Sequence, residues 1–159
     1  MELINYIGIL KETLTKKLSV LQAYIEATER QAQIAESEDF DLEAFESNME
    51  QKDALLEHVN ELDEGFDRVF QQIRTDLQAH KDEYKKEIRG LQDLIRKCTD
   101  LGVEIQTMEE RNRQRLEQVF SSRQKSIRQV KANSKSVSNY YKAMNPGKNM
   151  DSYFMDQKK

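Results

Sequence analysis

Residues 84–120 read YKKEIRGLQDLIRKCTDLGVEIQTMEERNRQRLEQVF, and their spacing decides the fold. Tyr84, Ile88, Leu91, Ile95, Cys98, Gly102, Ile105, Glu109, Asn112, Leu116 and Val119 follow one another at alternating steps of four and three. In an α-helix that alternation holds all of these side chains on a single seam. Leu94, Leu101 and Met108 lie beside the seam and widen it into a stripe, which suits a helix packed against two others rather than one. No proline precedes Pro146, so nothing forces the helix to stop, and the pattern predicts a helix from about Asp82 to about Met144.

The rest of the composition agrees with long helices whose outer faces are wet. Charged residues make up 34% of the 159 residues and mean hydropathy is −0.86, too polar for a large compact core. Trp is absent, Pro occurs once and the five Gly are scattered. The class is therefore all-α. The net charge of −4 is unevenly spread. Glu36 to Asp53 holds eight acids and one base, Lys52, whereas Gln118 to Met150 holds seven bases and no acid. Opposite fields at two ends of a molecule can orient a partner.

Working upstream, a first helix carries Leu3, Ile7, Leu10, Leu14, Leu18, Leu21 and Ile25, fading through Thr28 and Ala32 towards Ser37. One extra step of four in this series predicts a small phase slip. Asp41 is placed to cap a second helix, and Phe40 before it with Phe45 after it fits a hydrophobic staple. The second stripe runs Leu42, Phe45, Met49, Leu56, Val59, Leu62, Phe66, Phe70, Ile73 and Leu77, interrupted by Gly65, for which the sequence offers no reason. The polar stretch Gln78 to Glu83 reads as the next turn. With neither Gly nor Pro there, a single continuous helix is the alternative.

At about 1.5 Å per residue the first two helices span roughly 50–55 Å, whereas the third, if it reaches Met144, spans about 90 Å. The expected architecture is an elongated antiparallel three-helix bundle or coiled coil, with a long third helix overhanging the bundle. It divides into a bundle over residues 1–120, a partner-binding extension over 121–144 and a flexible tail over 145–159. Past the bundle, Leu116, Phe120, Arg123, Ile127, Val130, Ser134, Val137, Tyr141 and Met144 continue the four–three alternation. Of these, Leu116, Phe120, Ile127, Val130, Val137, Tyr141 and Met144 are the candidate partner-binding residues: a seam diluted enough to stay soluble and apolar enough to bind a helix.

Chemistry is not signalled. His58 and His80 have no cysteine or carboxylate arrangement around them that suggests a metal, and no phosphate loop, nucleophile elbow or zinc-protease motif occurs. Glu109 and Glu110 are expected on the outside of a long helix. Cys98 falls on the seam, where a buried, inert thiol is expected. No catalysis, no cofactor and no metal are predicted. The bases after Gln118 are spread around their helix in an acidic protein, so a solvated face is expected rather than a nucleic-acid site. The N-terminus lacks a basic start and a long apolar run, and no segment approaches the ~20 apolar residues of a membrane span. A cytoplasmic protein without membrane insertion is expected.

Several short stretches, taken in order, resemble the FlgN-type flagellar export chaperones. They are the N-terminal Leu/Ile helix, the acidic break Asp39-Phe40-Asp41-Leu42-Glu43, Lys52-Asp53-Ala54-Leu55-Leu56, Glu109-Glu110-Arg111-Asn112 and the ending Ser152-Tyr153-Phe154-Met155-Asp156-Gln157-Lys158-Lys159. Related chaperones for the filament cap protein or flagellin have similar composition. The resemblance implies a small cytoplasmic helical chaperone, needing no nucleotide, that escorts hook–filament junction proteins to the flagellar type III export apparatus. It further implies that the C-terminal part of the long helix captures an apolar terminal helix of the client. A homodimer in which two copies cover each other's seams is a form open to the chain without client. A helical adaptor or tether, with a permanent or self-associating partner, would display the same overhang.

Overall fold

A computed structural model describes residues 2–122. They form α1 (Leu3–Glu36), α2 (Leu42–Ala79) and α3 (Lys85–Ser121), with no strand among the described residues. The helices are nearly equal, at 34, 38 and 37 residues. At 1.5 Å per residue each is about 50–57 Å long. The continuation of the third helix to Met144, the extension and the tail lie outside the described residues.

Cross-helix partners set the topology. Lys17 meets Asp63 and Asn48 meets the Ala27 carbonyl, so numbers rise along α1 as they fall along α2. Cys98 lies against Leu14, Tyr24 reaches Glu109 and Asn112 reaches Thr28, so α1 and α3 run parallel. Lys52 with Glu109 and Phe45 with Phe120 make α2 and α3 antiparallel. The chain thus goes up, down and up. α1 lies against both of the other helices.

Both turns follow from local chemistry. The Asp41 carboxylate accepts the Ala44 amide at 3.1 Å, capping α2, and the Phe40 and Phe45 rings meet at 5.8 Å as the expected staple. The second turn forms without Gly or Pro. Its backbone closes through His80 N–H to the Asp76 carbonyl at 3.1 Å and Tyr84 N–H to the His80 carbonyl at 3.1 Å. Between buried Leu77 and buried Ile88 only Tyr84 is a large apolar side chain, so reversing direction here sacrifices little core.

Two expectations are corrected. The phase slip in α1 is absent: Ile7, Leu10, Leu14, Lys17, Leu21, Tyr24, Thr28, Gln31 and Ala35 are all buried at regular steps of three and four. Lys17, not Leu18, occupies the seam, and Leu18 and Ile25 are half-buried flanks. Likewise α2 turns Lys52 and Asp63 inwards between its apolar residues, and Leu62 flanks. Gly65 leaves open space around the position of a Cβ, so no neighbour requires a glycine there.

Candidate partner-binding site

The core is in two pieces. The larger cluster takes in seventeen buried residues from Ile7 to Ile105. The smaller, at the α1–α2 turn, has six: Ala35, Phe40, Phe45, Met49, Leu116 and Phe120. Phe120 is held edge-on by two rings, with centroids 5.4 Å from Phe40 and 5.8 Å from Phe45. Arg115 pairs with Glu36 at 2.9 Å on the half-exposed rim, where an ion pair contributes little.

Two of the sequence-predicted binding residues therefore have cover from their own chain. Leu116 and Phe120 are buried because α1 and α2 are long enough to reach the height at which the described part of α3 ends. Ile127, Val130, Val137, Tyr141 and Met144 lie outside the described residues.

Between the two clusters sits a polar layer. Lys52, 1% exposed, forms an ion pair with Glu109, 6% exposed. The Lys52 ammonium also donates to Gln31 Oε1 at 3.1 Å and stands 5.0 Å from the centre of the Tyr24 ring. Tyr24 donates its hydroxyl to Glu109 Oε1 at 3.0 Å, and Thr28 donates to the Tyr24 carbonyl at 2.8 Å. Asn112 Nδ2 bridges the Thr28 carbonyl at 2.9 Å and Gln31 Oε1 at 3.1 Å. Asn48 Nδ2 binds the Ala27 carbonyl at 2.9 Å, while its Oδ1 is buried without a hydrogen-bond partner. All three helices contribute.

Desolvation pushes the Lys52 ammonium pKa down, and the Glu109 charge opposes that without cancelling it. The fade of apolar residues in α1 after Ile25 thus marks not a fraying helix but a change from apolar to hydrogen-bonded packing. Glu109, expected on the outside with Glu110, is inside. Glu110 is exposed and pairs with Arg113 at 2.7 Å. One signal for the layer was present in the sequence: Glu109 and Asn112 stand on the seam, and Lys52 bridges the seven-residue gap from Met49 to Leu56.

A second buried pair, Lys17 with Asp63 at 2.8 Å, lies inside the larger cluster. Burial raises the Asp63 carboxyl to about 6 despite the attraction of Lys17. Nearby Cys98 is buried, and desolvation pushes its thiol up to about 11, so it is an inert thiol rather than a nucleophile. Among the described residues no group of His, Cys, Asp and Glu could hold a metal ion. None of the described helices is long and apolar enough to cross a membrane.

The structure defines an all-α three-helix bundle with a layer of buried, hydrogen-bonded polar side chains between two apolar clusters. The family model for FlgN protein matches residues 1–146, so the chain belongs to the FlgN family, a family of flagellar export chaperones. No curated protein and no solved structure matches it. Two stretches that carried the resemblance, around Lys52 and around Glu109 to Asn112, meet in the polar layer.

Proposed function

We propose that the protein is a cytoplasmic export chaperone that binds the apolar terminal helix of secreted flagellar hook–filament junction proteins. It keeps them from assembling prematurely and delivers them to the flagellar type III export apparatus. The observation that carries this reading is where the apolar surface goes. The stripes of α1, α2 and α3 are turned inwards, and the exposed large hydrophobics among the described residues are Ile4 and Val103, isolated on different helices. Two isolated side chains do not make the contiguous patch an apolar helix needs. The family match runs on to residue 146, through the seam of Ile127, Val130, Val137, Tyr141 and Met144. Leu116 and Phe120 form the start of the same seam.

The test begins with co-expression of the chain with candidate junction, cap and filament proteins. The one that co-purifies is then titrated by calorimetry against the double variant Ile127→Asp/Val130→Asp. Each buried aliphatic side chain is worth roughly 1.5–3 kcal/mol before ordering costs, so the variant should bind at least about tenfold more weakly. Its melting curve should stay within about a degree of the parent's, because on this reading both side chains pack on the client and not in the bundle core. Full-strength binding by the variant would move the site off the seam. A stable self-assembly that no client dissolves would favour the adaptor reading instead.

A further inference from the structure

We infer that the far end of the bundle, comprising the α1–α2 turn and the α3 segment from Asn112 to Ser121, opens as a unit of its own while the larger core stays folded. Three features lead there. Among the described residues the far cluster is small, six buried residues against seventeen, so these apolar contacts resist opening less. It is set apart from the larger cluster by Thr28, Gln31, Lys52, Glu109 and Asn112, with the Tyr24 hydroxyl reaching into this layer from the larger cluster's edge, so the two apolar clusters are separate.

The third feature is the character of that boundary. Breaking a bundle in an apolar layer exposes hydrocarbon to water, and every layer resists. Breaking it here returns a buried ammonium and a buried carboxylate to water. Their regained hydration offsets much of the lost ion pair, which is why such pairs contribute little net stability. Lys52 is held at a cost, as the downward push on its pKa shows. The Lys17–Asp63 pair shares that property but lies within the larger cluster, so the place to divide the structure is this layer, where a buried ion pair and a break between the clusters coincide.

Opening would uncover Leu116, Val119 and Phe120 together with Phe40 and Phe45. The first three lead directly into Ile127 and Val130 in sequence. Resting on the seam reading above, this makes the far end a cover over the start of the partner-binding seam, exchanged for client contacts on capture. The opening itself needs no client, and its test uses none.

The experiment is native-state hydrogen exchange by mass spectrometry on the full chain. Segments 34–49 and 113–121 should exchange together, at least about tenfold faster than segments 56–77 and 88–105. Phe40→Ala should speed the first two by about a further tenfold or more and leave the others within about twofold. The double variant Lys52→Met/Glu109→Met removes the charges from the layer and adds apolar contact between the clusters, and far-end exchange should slow towards the rate of the main core. One exchange rate throughout the parent chain, with all segments accelerated equally by Phe40→Ala, would overturn the inference. Because Phe40 lies outside the layer, its variant decides the matter even if the double variant fails to fold. Loss of binding in Ile127→Asp/Val130→Asp with uniform exchange would sink the far-end opening and keep the seam. The opposite pair of results would do the reverse.

Discussion

Replacing Lys52 by Met should be among the most damaging single changes in the bundle. The Lys52 ammonium is its ion-pairing atom for Glu109, and the carboxylate is 6% exposed. Met is close to the length of the lysine stem, so little cavity is left and the loss is almost wholly electrostatic. What remains for Glu109 is the uncharged Tyr24 hydroxyl at 3.0 Å, since the Thr28 hydroxyl, 3.4 Å away, gives its one hydrogen to the Tyr24 carbonyl. Breaking one side of a buried pair costs about 3–5 kcal/mol, against a total stability of about 5–15 kcal/mol for a protein of ordinary size. Glu109→Met should cost a similar amount, by leaving an ammonium that is 1% exposed beside Gln31 and the Tyr24 ring. The double variant should recover most of the loss, ending between neutral and about 4 kcal/mol more stable than the parent. Urea unfolding followed by far-ultraviolet circular dichroism measures all four members of the cycle. A Lys52→Met loss below about 1 kcal/mol, with the two single effects simply adding, would show that the charges are hydrated in solution. The layer would then be no barrier inside the core.

Two further expectations concern the rest of the bundle. The Asp63 carboxyl is raised to about 6 from 3.8, so the folded chain holds this proton more tightly than the unfolded one. Its contribution to stability is full below about pH 4 and is lost as pH rises through about 6, by up to about 3 kcal/mol. Melting temperatures between pH 4 and 6.5 should therefore decline less steeply in Asp63→Asn than in the parent, and an identical slope would refute the assignment. Gly65 has open space at its Cβ position and no positive φ, so Gly65→Ala should stabilise α2 by up to about 1 kcal/mol. A denaturation midpoint that falls instead would mean an unrecognised close approach.

How far the sequence reached can be judged from single residues. The four–three spacing of Ile88, Leu91, Ile95, Cys98, Gly102 and Ile105 placed the inner face of the described part of α3 correctly, because helical periodicity is a local property. The Asp41 cap and the Phe40–Phe45 staple were likewise legible, since both lie within one turn of chain. Lys17, Lys52 and Asp63 do not stand out beside their apolar neighbours, and Glu109 is expected outside although it stands on the seam. A charge at a seam position is buried or exposed according to what another helix brings to its height. Lys52 is inside because Glu109, fifty-seven residues away, arrives opposite it. The cover over Leu116 and Phe120 has the same origin, since it depends on where the α1–α2 turn comes to rest. The three helices, the inner face of α3 and the Asp41 cap were thus legible in the sequence alone, through interactions spanning a turn or less, whereas the inner faces of α1 and α2 needed their partners. The pairing of distant charges and the division of the core were decided only by tertiary structure, because both depend on which heights meet when three long helices align.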